Sequence, residues 1–144
     1  MLMISHRGNL SGPVPERENS PDYIAESLEK GYSAEVDVWL INDQYWLGHD
    51  EPTYKVEEAF LENDKIWCHA KNIAALEKMR YNDKIHCFWH QNDDYTLTSR
   101  GYIWTYPGKR LTSNSICVLP EKSSYDQIRC FGICSDFIQE YDNS

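Results

Sequence analysis

Short apolar segments with strand character recur along the whole chain, at positions 2–5, 34–41, 45–48, 66–71, 85–90, 102–105, 116–119 and 132–135. Between them lie two stretches of helical periodicity. The first covers 21–30, with Ser20 as N-cap, Pro21 at the first position, Gly31 past the end, and Ile24 and Leu28 one turn apart. The second covers 72–80, with Asn72 as cap and Ile73, Leu76 and Met79 on one side. Segments 56–62 and 124–130 have room for one or two turns each. Eight strands are the number a (β/α)8 barrel requires. Several links are nevertheless too short for a helix: 42–43 joins the second and third strands, and 107–114 the sixth and seventh. A typical barrel of this kind uses about 250 residues, against 144 here. The expectation is an α/β fold, a reduced (β/α)8 TIM barrel with several outer helices shortened or missing, spanning 1–144 as one domain. The alternative is a partial barrel completed by a second copy or by another arrangement of strands. Apolar strand surface without a covering helix makes a homo-oligomer a secondary expectation.

The second strand carries the most informative alternation. In Ala34-Glu35-Val36-Asp37-Val38-Trp39-Leu40 the side chains of Glu35 and Asp37 project from one face, and Val36, Val38 and Leu40 from the other. Adjacent carboxylates repel each other unless a proton or cation lies between them, and hard divalent ions favour such oxygen ligands. The bland reading is the exposed face of an amphipathic strand, against which Trp39 on the same face counts. His6-Arg7-Gly8 and Gly48-His49-Asp50 flank the pair and add groups that exchange protons near neutral pH, together with a guanidinium for an anion. Barrel sites lie at the carboxyl ends of strands, where each of these motifs falls. Metal, acid, base and anion-binding arginine are the parts of a phosphoester-cleaving site.

Four motifs, His6-Arg7-Gly8, Glu18-Asn19-Ser20, Glu35-Val36-Asp37-Val38 and Gly48-His49-Asp50, resemble in order and spacing those of the glycerophosphodiester phosphodiesterase family, among the phosphatidylinositol phospholipase C-like phosphodiesterases. Gly132-Ile133-Cys134-Ser135-Asp136 resembles the closing strand of that family. The match runs almost from end to end, and its first third is the most specific part. The resemblance implies His6 and His49 as general acid and base: a neighbouring hydroxyl or a water attacks phosphorus while one takes its proton and the other protonates the leaving oxygen. It implies Glu35 and Asp37 as ligands of Mg²⁺ or Ca²⁺, with Arg7 and Lys71 on the phosphate. Glu18 would orient Arg7 or stand outside the metal ligands, or simply precede the helix cap.

His69 is the departure, because His69-Ala70-Lys71 stands where the family has Glu-x-Lys. A neutral, softer imidazole in place of a carboxylate admits Mn²⁺ or Zn²⁺. Direct ligation, a hydrogen bond to a metal-bound water and plain packing stay open for it. His90 lies near the barrel mouth, within reach of substrate. Trp104 and Tyr106 would form an aromatic wall for the leaving alcohol, with barrel packing as the plainer explanation. His86 reads as a core histidine, and Asp136 as an anchor of the last strand or a partner of a site residue.

The expected activity is metal-dependent cleavage of glycerophosphodiesters or related small-molecule phosphodiesters. Two alternatives are a sphingomyelinase D-like lyase forming a cyclic phosphate and a catalytically weak phosphate-ligand-binding module. A formal charge of −9 argues against nucleic acid or an anionic membrane as partner. No apolar run approaches the roughly 20 residues needed to span a bilayer, and with the first motif starting at His6 no signal peptide is expected. Five cysteines without a CxxC pair read as reduced buried thiols, more readily than as a zinc site, in a cytoplasmic protein.

Overall fold

The computed structural model describes residues 1–142. Its strands are β1 (Leu2–His6), β2 (Ser33–Ile41), β3 (Gln44–Leu47), β4 (Tyr54–Val56), β5 (Ile66–Ala70), β6 (His86–Phe88), β7 (Tyr95–Leu97), β8 (Ile103–Thr105), β9 (Ser115–Val118) and β10 (Gly132–Ser135). Helices α1 (Pro21–Glu29), α2 (Glu58–Leu61), α3 (Ile73–Met79) and α4 (Ile138–Tyr141) are short. The strands form one mixed sheet curled into a half-barrel, which corrects the expectation of a reduced (β/α)8 TIM barrel. Parallel pairing runs in the order β6, β5, β2, β1, β10, β9, β8, while β3, β4 and β7 lie antiparallel to their neighbours.

The turn at Asn42 and Asp43 explains the difference. Their φ values of 50° and 63° are both positive, the mirror-image turn that joins two antiparallel strands. A two-residue link cannot return the chain to a parallel neighbour. Segment 45–48 is therefore a hairpin return, with Leu47 opposite Val38 and Gln44 opposite Ile41, and not a third barrel strand. Every expected strand segment does form a strand, and β4 and β7 are added. Within 56–62 only α2 is helical, and 124–130 holds no helix. A single 3-10 turn at Pro120–Lys122 precedes it instead.

Helices α1 and α3 begin as their caps dictate. The Ser20 Oγ accepts from the Tyr23 amide, and the Asn72 Oδ1 accepts from that of Ala75. Both pack on the outer face of the sheet, where Ile24, Ala75 and Met79 join Ala34, Val36, Val38, Ile66 and Cys68 in the largest apolar cluster. Because strand side chains alternate, the inner face receives the opposite set. There Ile4, Trp67, Phe88, Trp104, Ile116 and Cys134 form a second core at the bottom of the curl. The register sets Glu35 beside Trp67 and Asp37 beside His69 on this inner face. The two carboxylates thus stand directly above an apolar floor. No helix of the described residues is long and apolar enough to cross a membrane.

His86 lies in that floor, as the sequence expects of a core histidine. Its ring sits 4.0 Å from that of Trp67, and Nε2 is 2.7 Å from the Thr98 hydroxyl. Burial, with a smaller effect of Arg100, pushes its pKa down to about 4. The unfolded chain then binds the proton that the folded one refuses between pH 6.5 and 4, so stability is full above that window and falls as pH drops through it. His86 should account for a loss of about 2 kcal/mol between pH 7 and pH 5, read in urea denaturation as the difference in slope between wild type and His86→Gln, since the raised pKa of His69 works the other way over this interval. An unchanged slope would assign acid sensitivity elsewhere.

Candidate active site and metal centre

The last residues of β1 pair with the first of β2, which sets His6 in register with Glu35. Arg7 follows in the left-handed region, φ 57°, and this turns its side chain back over β2. The Arg7 Nε lies 3.2 Å from Asp37 Oδ2, and one terminal nitrogen lies 3.3 Å from Glu18 Oε1. Asn19 is also left-handed, φ 68°, a conformation that asparagine tolerates better than most residues. From there its amide clasps Asp37 twice: Nδ2 donates to Oδ2 at 2.9 Å, and Oδ1 accepts the Asp37 backbone N–H at 2.9 Å.

Glu35 and Asp37 are each about 1% exposed. Buried carboxylates without a countercharge are costly, and the neighbouring His69 supplies one. Its Nδ1 lies 3.3 Å from Asp37 Oδ1 and 3.6 Å from Glu35 Oε2. The His69 Nε2 is 2.7 Å from the backbone oxygen of His90. A carbonyl only accepts, so Nε2 carries a proton and Nδ1 is the nitrogen turned to the carboxylates. Burial opposes the imidazolium, but Asp37 and Glu35 outweigh it and raise the His69 pKa to about 9. Burial likewise opposes the Asp37 carboxylate, yet His69, Arg7 and Asn19 hold its pKa well below the usual range.

Two oxygens of this group are buried without a well-formed hydrogen bond: Glu35 Oε1, and Asp37 Oδ1, which has only the 3.3 Å approach of His69 Nδ1. Ligand atoms of Glu35, Asp37 and His69 lie within 4.8 Å of one another. Orphaned carboxylate oxygens facing a histidine nitrogen fit a divalent cation, which would take the place of the Nδ1 proton. The His90 carbonyl would then fix the ligand's orientation from behind.

His6 stands at the edge of this group. Its Nδ1 is 2.7 Å from Asp136 Oδ1, and its Nε2 is 3.9 Å from Glu35 Oε1. Because the Asp136 carboxylate accepts, Nδ1 carries the proton and Nε2 faces the hollow. Burial opposes charge on His6, but the Asp136 hydrogen bond and the field of Glu35 prevail and raise its pKa. Asp136 is itself held: Asn9 Nδ2 donates to its Oδ1 at 2.9 Å and also to Glu18 at 3.1 Å. The Glu121 carboxylate accepts from the Ser135 hydroxyl and from the Asp136 amide.

His6, Arg7, Glu35, His69, His90 and Trp104 line one hollow of about 190 Å³. His49 and Glu18 line a second, of about 380 Å³, which shares Arg7 as a wall. His49 is exposed, with Nδ1 2.7 Å from Asp50 Oδ1. Its loop is pinned to β2, because Trp39 Nε1 donates to the Gly48 carbonyl and the Gly48 amide to that of Asp37. Trp104 also stacks on Phe88 at 4.5 Å, so it serves both the hollow and the floor. Lys71 lines neither hollow and makes no ion pair among the described residues. A separate hollow of about 540 Å³ between Tyr95, Leu97 and Ile103 holds none of these acid–base groups.

Sequence reasoning gave Asn9, Asn19 and Glu121 no role. Asn19 sits in Glu18-Asn19-Ser20, where the tolerance of asparagine for positive φ is the one local signal. The contacts of Asn9 and Glu121 with the Asp136 segment join residues 127 and 15 positions apart and have no local signature. No family model matches the chain, and neither a curated protein nor a solved structure matches it.

Proposed function

We propose that this chain is a metal-dependent phosphodiesterase acting on glycerophosphodiesters or related small phosphodiesters, as the resemblance of its motifs to the glycerophosphodiester phosphodiesterase family implies. One observation carries the reading: the buried carboxylates of Glu35 and Asp37, each with an oxygen lacking a hydrogen bond, converge on His69 beneath a hollow lined by Glu35, His69, His6 and Arg7. Glu35, Asp37 and His69 would hold the ion, which when bound supplies positive charge to a phosphoryl oxygen. Arg7 keeps Asp37 and Glu18 in place and presents its remaining donors to the phosphate. His6, with a raised pKa, is suited to enter protonated and to give the Nε2 proton to the leaving oxygen. His49 stands across Arg7 in the adjoining hollow, where a base acting on the attacking hydroxyl would stand opposite the leaving group.

A phosphodiester panel run with Mg²⁺, Ca²⁺, Mn²⁺, Zn²⁺ and chelator, read by ³¹P NMR, tests this. Turnover should require metal. A cyclic product would select the lyase alternative, and binding without turnover the phosphate-binding module. The latter is the reading that His69 favours if it remains an imidazolium bridging the carboxylates.

Asp136→Asn provides a second check. The amide oxygen can still accept from His6 Nδ1 and Asn9 Nδ2, but the charge that steadies the imidazolium is gone, so turnover should fall by about tenfold or more. The same change removes the carboxylate that raises the His6 pKa. If His6 acts as an acid, activity is lost on the alkaline side, and that limb of the pH–rate profile should move to lower pH. An unmoved limb would take His6 out of the acid role.

A further inference from the structure

The hollow lined by Glu35 and His69 needs positive charge for a phosphate, and the cations around it are not equivalent. The Arg7 guanidinium is engaged by Asp37 and Glu18. Lys71 does not line the hollow. Lys122 does, together with His6, Arg7, Glu35 and His69. It makes no ion pair with a carboxylate among the described residues.

The chain fixes Lys122 there by several devices. Leu119 adopts the left-handed region, φ 48°, which is unfavourable for a branched side chain unless surrounding contacts enforce it. Its amide donates to the Cys134 carbonyl at 2.7 Å, and the Lys122 amide donates back to the Leu119 carbonyl at 2.9 Å. Pro120 is buried. Glu121 points the other way and bridges the Ser135 hydroxyl and the Asp136 amide. One 3-10 turn therefore braces the partner of His6 through Glu121 and presents Lys122 at the hollow.

We propose that Lys122 is a substrate-binding residue, the lysine that meets the non-bridging oxygens of the phosphodiester, in the role the sequence gives to Lys71. This rests on the phosphodiesterase reading of the site. An ammonium on a flexible stem acts as a point charge toward phosphate. Contact made equally in the ground and transition states lowers KM without raising kcat.

The test uses the full chain. Inorganic phosphate is titrated calorimetrically with and without Mn²⁺, and phosphodiester kinetics are measured in parallel. Lys122→Gln should weaken phosphate binding and raise KM by about tenfold, with kcat nearly unchanged. Lys122→Arg should recover most of both, and Lys30→Gln, at the exposed end of α1, should match wild type. Lys71→Gln should lose less phosphate affinity than Lys122→Gln. Equal phosphate affinity in wild type and Lys122→Gln overturns the proposal, as does a larger loss in Lys71→Gln or no phosphate binding by wild type. Absence of turnover in wild type defeats the phosphodiesterase reading, whereas the phosphate titration still decides whether Lys122 is the anion-binding lysine.

Discussion

Glu35→Gln combined with Asp37→Asn is expected to abolish metal-dependent turnover, a loss of about 10³-fold or more, in a protein that still folds. The two side chains are about 1% exposed and contribute both orphaned oxygens, so the amides leave His69 alone to hold an ion. Folding should survive for a related reason. Without the carboxylates His69 has no cause to stay charged and reverts to a neutral, hydrogen-bonded imidazole. The amide oxygen at position 37 can still accept from Asn19. Arg7 loses one partner and retains Glu18. Metal content by elemental analysis, thermal melting and turnover should be measured on the same preparation. Wild-type turnover in the folded double variant would remove metal catalysis from the proposal.

The carboxylate pair was legible because a period of two is a local property. Once Ala34–Ile41 is a strand with Val36 and Val38 in a core, Glu35 and Asp37 must share the other face. Strand existence was legible for the same reason. Strand direction was not, since pairing partners are set by distant residues. The exception is the hairpin at Asn42 and Asp43, two residues that tolerate positive φ between apolar runs. Read as a turn of this kind, they exclude a parallel third strand. The contact of His6 with Asp136 spans 130 positions in sequence, and the brace from Glu121 depends on a left-handed Leu119. Neither has a local pattern. His69 was legible as a departure from a motif, but its orientation was set by the His90 carbonyl, which only the folded chain supplies.

That orientation makes His69 the source of the strongest pH dependence in the site. Its Nδ1 lies between the two carboxylates and holds a proton with a pKa of about 9, against roughly 6.5 in the unfolded chain. A metal ion bound by the same nitrogen must displace that proton, so log affinity should rise about one unit per pH unit up to about 9 and then level off. Between pH 6 and pH 8 this amounts to roughly a hundredfold. The metal-free protein should show the opposite trend. A raised folded pKa gives stability that is complete below about pH 6.5 and disappears as pH climbs through about 9, about 3 kcal/mol at most. Metal-free protein should therefore weaken on the alkaline side, and Mn²⁺ or Zn²⁺ should rescue it there. His69→Gln carries no proton to displace and should flatten the affinity profile while lowering the plateau. His69→Glu should shift preference toward Ca²⁺ by restoring an all-oxygen set. Calorimetric metal titrations and urea denaturation from pH 6 to pH 10 measure both trends. Equal metal affinity across that range in wild type would show that the ion, if it binds, does not take the place of the His69 proton.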